Sequence, residues 1–263
     1  MPDFPTAADT TLVDTLICAA ARAWAEDGEV LATGIGIVPR LAASLAKLSH
    51  NPDLMMTDSE AWLVSEPVPL GPRGTYQLRR EAHMGFARIF DNVWGGRRHA
   101  MVGPTQVDRF GQANISMIGS DHRKPRAQML GVRGFPGNSI NHANSFFVPN
   151  HSPKVFVDGE VDMVASAGYN PARLARGWRL DDIDLRLIVT NLAVLDFGGP
   201  QRQVRLLSVH PGVTADQVQA ATGFAVHVPP QVPLTPSPTA EQLALIARLD
   251  PHGLRASVLG AST

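Results

Sequence analysis

Glu29-Val30-Leu31-Ala32-Thr33-Gly34-Ile35-Gly36-Ile37-Val38-Pro39 is the stretch that decides the fold class of this chain. Glu29 to Thr33 reads as a short buried strand, and Gly34-Ile35-Gly36 as the turn that ends it. Pro39 is well placed as the first residue of a helix over Pro39–Leu48, because its fixed φ suits the first helical turn and its missing N–H would have no partner there. Leu54-Met55-Met56-Thr57 reads as the next strand. Strand, glycine turn, helix and strand in that order predict a βαβ unit with parallel strands, hence an α/β protein with a mainly parallel sheet flanked by helices. The glycine turn admits two readings. It holds a phosphate at the N-terminus of the following helix, or it is a tight strand-to-helix connection. It lacks the third glycine of the dinucleotide fingerprint, and no acidic residue clearly placed to bind a ribose follows the second strand.

Working outward, Thr10 or Thr11 caps a helix to about Ala25, with Leu12, Leu16, Ile17, Ala20, Ala23 and Trp24 near helical spacing. Ser65 to Tyr76, with three prolines and two glycines, is loop. Gly85–Trp94 is helical and stops at Gly95-Gly96. His99–Val102, Ile115–Ile118, Ala127–Leu130, Ser145–Val148, Lys154–Val157 and Val204–Val209 read as strands. Leu185–Leu195 is a β-branched stretch broken at Asn191, and Asp196-Phe197-Gly198-Gly199-Pro200 is a turn. Thr214 caps a short helix to Ala221, Val228–Pro238 is an extended arm with five prolines, and Glu241–Leu249 is the last helix.

Composition narrows the function. The 263 residues are 44% hydrophobic and 18% charged, with a formal net charge of −1. No concentrated basic footprint exists, which argues against nucleic acid as the main partner. The single cysteine, Cys18, excludes an internal disulfide and a cysteine-based zinc site; it reads as a small buried apolar residue. No window approaches the roughly 18 apolar residues of a membrane span, and no basic segment precedes an apolar block at the N-terminus. The expectation is a soluble cytoplasmic protein that binds neither membrane nor metal.

Two segments carry candidate chemistry. Gly131-Val132-Arg133-Gly134-Phe135-Pro136-Gly137-Asn138-Ser139-Ile140-Asn141 has glycines at spacing three, which lets a ligand approach main-chain N–H groups closely. Such a loop stabilises a developing oxyanion, where one donor is worth ~3 kcal/mol, or it is a structural Gly/Pro turn. Glu60, in Thr57-Asp58-Ser59-Glu60-Ala61, sits just past a strand end, where a carboxylate acts as nucleophile or general base, or is simply solvated. Asp108-Arg109 reads as a local salt bridge fixing a turn at Gly111. Asp181, Asp182 and Asp184 read as a solvated turn. His142 and His151 lack metal-ligand spacing, and Ser139 with His142 lacks the glycine pattern of a hydrolase nucleophile.

Together these pieces resemble the β subunit of class I coenzyme A transferases of the glutaconate CoA-transferase type. The residues that carry the resemblance are Thr57–Ala61, Gln106-Val107-Asp108-Arg109-Phe110-Gly111 and Gly131–Asn138. Within that family the chain is similar to the branch that cleaves steroid rings hydrolytically, through Trp94-Gly95-Gly96-Arg97-Arg98-His99, Gly137-Asn138-Ser139-Ile140-Asn141-His142-Ala143, Asn191-Leu192, Asp196–Pro200 and His210-Pro211-Gly212-Val213-Thr214. The resemblance implies one CoA-transferase-like β-subunit domain over residues 1–263 and a separate α chain in an α2β2 assembly. It also implies an acyl-CoA thioester as substrate and no bound cofactor. Glu60 occupies the position of the transferase nucleophile, which forms a glutamyl-CoA thioester. Trp62 departs from the transferase pattern, which has glycine there, and the ring-cleaving branch is thought to rely on a glutamate of the α chain. The resemblance implies that Gly131 and Gly134 face the thioester oxygen and that Arg133, Gly137, Asn138 and Asn141 contact substrate or CoA. The activity implied is ring opening of a cyclic β-keto acyl-CoA; the alternatives are CoA transfer between carboxylic acids and a purely scaffolding β chain.

Overall fold

The computed structural model describes residues 10–58, 62–173, 177 and 179–260; Glu60 lies outside them. The chain divides into two compact units, one of residues 1–101 with 236–263 and one of residues 102–235.

The first unit opens with α1 (Leu12–Ala21). Thr11 caps it and Asp14 returns a bond to the cap, so both ends of the box are satisfied. The helix was expected to reach Ala25; instead it tightens into a 3₁₀ turn at Arg22–Trp24, and Trp24 is fully buried. The Trp24 indole N–H donates to the His99 carbonyl at 3.2 Å, and the two rings lie 5.2 Å apart. β1 (Leu31–Gly34) leads through the glycine turn into α2 (Ile37–Ser49), which starts two residues before Pro39. α2 buries Val38, Leu41, Ala42, Leu45 and Ala46 at helical spacing, and it packs against α1.

The expected strand at Leu54–Thr57 is reduced to single bridges. Met55 pairs in parallel with Leu31, and Thr57 pairs antiparallel with Leu63. Beyond Thr57 only Asp58 is described before β2 begins at Trp62. β2 (Trp62–Val64) then pairs antiparallel with β3 (Arg80–His83). The latter escapes sequence reading because all four of its side chains are exposed and no alternation marks it. α3 (Gly85–Trp94) matches the expected helix, and β4 (Arg98–Val102) runs parallel to β1, from Leu31 opposite Arg98 to Gly34 opposite Met101.

In the second unit, β5 (Gln106–Val107) pairs with β6 (Ala113–Asn114), and β7 (Met117–Ile118) pairs with β8 (Ala127–Gln128), all two residues long. The expected strands at 115–118 and 127–130 are trimmed to these pairs. α4 (Phe135–Asn141) replaces most of the expected glycine loop. β9 (Ala143–Val148) is buried along its whole length and runs parallel to β10 (Leu185–Thr190), as a strand covered on both faces should. Lys154–Val157 contributes one bridge, Val107 to Phe156. The break expected at Asn191 is a hairpin turn: β10 reverses into β11 (Ala193–Asp196), and β12 (Arg205–Val209) adds a further antiparallel strand. α5 (Ala215–Ala220) is capped by Thr214. The proline-rich arm is tied down where Leu234 pairs with Val209 and the Thr235 amide donates to the Val209 carbonyl at 2.7 Å. α6 (Ala240–Leu249), capped by Thr239, returns to the first unit. There Arg255 links Asp14 at 2.8 Å and Asp250 at 3.2 Å.

The fold is thus α/β, with parallel strand pairs at β1–β4 and β9–β10 and antiparallel strands after β10. No helix among the described residues is long and apolar enough to cross a membrane.

Candidate active site

In the first unit the segment that carries Glu60 is clamped at its base. The Asp58 amide donates to the Trp62 carbonyl at 3.0 Å, and the Trp62 amide donates to Asp58 Oδ1 at 3.2 Å. Asp58 is fully buried. Its carbonyl accepts a bond from Arg73 Nη2 at 2.7 Å, so a residue of the Pro/Gly loop reaches back to Asp58. Arg40, on the first turns of α2, joins the same electrostatic neighbourhood. Burial holds its guanidinium below its usual pKa, the nearby Arg73 charge pushes the same way, and Asp58 opposes both. Two arginines therefore gather at Asp58. Sequence reading missed both: Arg73 lies fifteen residues from Asp58, and no motif joins them. Arg73 also lines a surface cavity of about 420 Å³ with Pro69, Pro72, Tyr76 and His252.

The glycine turn before α2 is explained by close packing. A Cβ on Gly34 would fall 2.3 Å from the Pro39 carbonyl carbon, and Gly36 has φ 102. Trp62 does not project loosely. Its ring lies 4.9 Å from that of His83, and the Arg80 guanidinium sits 5.0 Å over it, a cation–π contact.

In the second unit, Gly131, Arg133, Gly134, Gly137, Asn138 and Asn141 are brought together on one turn and α4. The loop proper is only Gly131–Gly134, a correction to the longer loop expected from the glycines. The buried Phe135 ring, edge-on to Phe146 at 6.1 Å, holds the following helix in place despite Gly137 within it. Gly131 has φ 83 and Arg133 has φ 52, a left-handed conformation that strains a residue with a Cβ by roughly 1–2 kcal/mol. The Phe135 amide donates to the Val132 carbonyl at 3.1 Å, and the Asn138 amide to the Gly134 carbonyl at 3.0 Å, so these two donors are committed within the turn. A Cβ at Gly131 or at Gly134 would meet nothing within 4 Å, so the loop backbone is open to an approaching ligand. Asn141 Nδ2 donates to the Gly137 carbonyl at 2.7 Å, and Asn144 Nδ2 to the Asn138 carbonyl at 2.9 Å.

Other candidate residues take structural roles. Asp108 and Arg109 do not pair as expected. Asp108 Oδ1 accepts from the Phe110 and Gln112 amides, both at 2.9 Å, and this fixes the turn, while Arg109 reaches Asp158 at 2.8 Å. Burial pushes the Asp108 carboxyl up to about 6 against the pull of those two amides. His151 is buried between the Thr190 and Thr222 hydroxyls at 3.0 and 2.9 Å and stacks on Phe156; burial pushes it down to about 4. Ser139 donates to the Pro136 carbonyl at 2.9 Å. The aspartates at 181, 182 and 184 pair with Arg202, Arg179 and Arg186 at the surface. Among the described residues no cluster of three or more histidine, cysteine, aspartate or glutamate side chains is arranged to hold a metal.

No family model matches the chain. The structure superposes on glutaconate coenzyme A-transferase from Acidaminococcus fermentans with a TM-score of 0.78, at 21% identity and covering 96% of this chain and 98% of that one. The Asp58–Trp62 clamp and the glycine loop before β9 are thus carried on the CoA-transferase fold. The IpdB subunit of the cholesterol ring-cleaving hydrolase of Mycobacterium tuberculosis is 41% identical over 254 residues, covering 94% of this chain and 97% of that one. The solved structure of IpdAB from Rhodococcus jostii RHA1 matches with a TM-score of 0.88 at 38% identity, covering 96% of this chain and 100% of that chain. A subunit of the 3-oxoadipate CoA-transferase of Pseudomonas knackmussii is 29% identical over 242 residues, covering 86% of this chain and 88% of that one. The chain belongs to the family of the IpdB subunits of cholesterol ring-cleaving hydrolases.

Proposed function

We propose that the chain is the β subunit of a cytoplasmic, heteromeric CoA-thioester hydrolase that opens the last steroid ring in bacterial cholesterol breakdown. The supporting observation is 41% identity to a cholesterol ring-cleaving hydrolase subunit along nearly the whole length of both chains. The substrate is a cyclic β-keto acyl-CoA, no cofactor is bound, and a CoA-transferase-like α chain completes an α2β2 assembly in which residues 1–263 act as one β-subunit domain.

In this reading water adds to the ring ketone. The resulting tetrahedral centre collapses to a carboxylate as the ring C–C bond breaks. The departing carbon is released as an enolate whose charge lies on the thioester oxygen, and a proton returns to that carbon. The chain's part is to stabilise that oxygen. Amide donors at Gly131 and Gly134 suit the task, because the bare backbone there lets the thioester approach and a donor fixed in advance costs no reorganisation. In this reading Arg133, exposed on the same turn, meets CoA phosphates, and Gly137, Asn138 and Asn141, all within α4, contact substrate or CoA. Asn141, with its Nδ2 bound to Gly137, offers Oδ1. The purified two-subunit complex should consume a cyclic β-keto acyl-CoA with no acceptor acid present. Strict dependence on an added carboxylate would refute hydrolysis.

A second reading, CoA transfer with Glu60 as nucleophile, draws on the 29% identity to a 3-oxoadipate CoA-transferase chain. It requires a glutamyl-CoA adduct on the Glu60 peptide, trapped by borohydride, and loss of activity in Glu60→Gln.

A further inference from the structure

Helix α3 turns its apolar side outward. Only Val93 of its residues is buried, whereas Phe86 is 82% exposed, Phe90 54% and Trp94 66%. A spacing of four puts the three rings on one side of the helix. The other phenylalanine and tryptophan side chains among the described residues are buried or half-buried, so this concentration is peculiar to α3. At roughly 200 Å² per aromatic side chain, these exposures leave about 400 Å² of ring surface in water. That approaches the largest apolar patch a typical monomer shows, 300–600 Å² by rough survey and often functional. It is also about half of the ~800 Å² that one partner brings to a standard interface.

The charge around the helix says what kind of surface would cover it. Residues 79–97, which include α3 and both of its flanks, hold four arginines and two acidic residues. Arg80 is anchored over Trp62, and Arg79 pairs with Glu66 at 2.9 Å at the surface. A second copy of this chain, meeting it face to face across a two-fold axis, would set the arginine-rich flanks against each other. A small-molecule site is concave, whereas a lone helix side is convex. The surface that fits is an apolar groove with a carboxylate rim on a different chain.

We propose that the Phe86–Phe90–Trp94 side of α3 is the docking surface for the α subunit, with those rings at the centre of the contact and the arginines steering approach to an acidic rim. The inference rests on the two-subunit reading above and adds to it the surface that meets the partner.

The test uses the full chain with the CoA-transferase-like α chain of the same genome. Phe90→Glu and Trp94→Glu alter exposed side chains, so each variant should melt with the wild type. Each should weaken the complex about 30-fold or more, as central aromatic contacts do, and the double variant should elute apart from the α chain on size exclusion at micromolar concentration. Phe86→Ser, which adds no charge, should weaken binding in the same direction. Wild-type affinity in all of these would overturn the inference. So would wild-type affinity with a raised KM, which would give the aromatic side to substrate. If the unaltered chain fails to bind the α chain at all, the two-subunit reading falls first and takes this inference with it.

Discussion

Asp58 and Trp62 hold each other twice, through the Asp58 amide on the Trp62 carbonyl at 3.0 Å and the Trp62 amide on Asp58 Oδ1 at 3.2 Å. The pair closes the base of the segment that carries Glu60, and Arg73 braces it from outside through the Asp58 carbonyl. Removing the side-chain half of this clamp leaves a main-chain donor without its partner. Asp58→Ala should therefore cost about 1–3 kcal/mol and speed hydrogen exchange at the Trp62 amide. Asp58→Asn keeps an oxygen at the accepting position and should recover most of the protection. Equal exchange in both variants would mean that the carboxyl does not hold the Trp62 amide.

Gly34 and Gly134 should behave oppositely on substitution by alanine. At Gly34 the new Cβ would overlap the Pro39 backbone, 2.3 Å away, which neither β1 nor α2 can relieve without parting. Gly34→Ala should fail to fold or lose roughly 1–3 kcal/mol or more, as overpacking does. At Gly134 φ is −85 and a Cβ meets nothing within 4 Å. Gly134→Ala should melt with the wild type, so any fall in kcat would report on the loop's approach to substrate. An unchanged rate would remove Gly134 from the site.

Two buried groups of the second unit shift stability with pH in opposite directions. The Asp108 carboxyl is raised by burial to about 6, above its unfolded value of 3.8, so its contribution to stability is full below pH 3.8 and is lost as pH rises through about 6. His151 is lowered by burial to about 4, below its unfolded 6.5, so its contribution is full above pH 6.5 and is lost as pH falls through about 4. Between pH 4 and 6.5 the two trends oppose, and the wild type should show a shallow profile. Asp108→Asn should gain stability at pH 8 relative to pH 4 by no more than about 3 kcal/mol, and His151→Gln should lose the acid-side decline. Calorimetric melts from pH 4 to 8 test both slopes, and parallel curves for all three proteins would refute the assignment.

Cys18 lies buried in α1, where burial first and Asp14 second push its thiol up to about 12. The thiolate is the reactive form, so native protein at pH 8 should leave the single thiol unmodified by an aromatic disulfide reagent. One equivalent should react once denaturant is added. Prompt reaction in the native protein would show α1 opening far more readily than its packing suggests.

How much of this was legible beforehand depended on the range of the interactions. Helices α1, α2, α3, α5 and α6 were visible because spacing and caps are written in adjacent residues. Thr11, Thr214 and Thr239 each stand three positions before the residue that answers them. β3 was invisible because its Arg-Glu-Ala-His sequence carries no alternation, and only pairing with β2 makes it a strand. The glycines mark the loop but not its length. The burial of Phe135 against Phe146 converts its second half into α4, and local propensity cannot report that.

The same division runs through the candidate site. The order of residues by itself determined the α/β class, the glycine turn before α2, the break at Asn191 and the motif set that marks the family, because each depends on chemistry within a few positions. Tertiary structure alone decided that Arg40 and Arg73 gather at Asp58, that Arg109 bonds Asp158 and not its neighbour, and that α3 shows its rings to water. Charge and burial act through space, and a distance of a few ångströms between residues far apart in the chain exists only once the chain has folded.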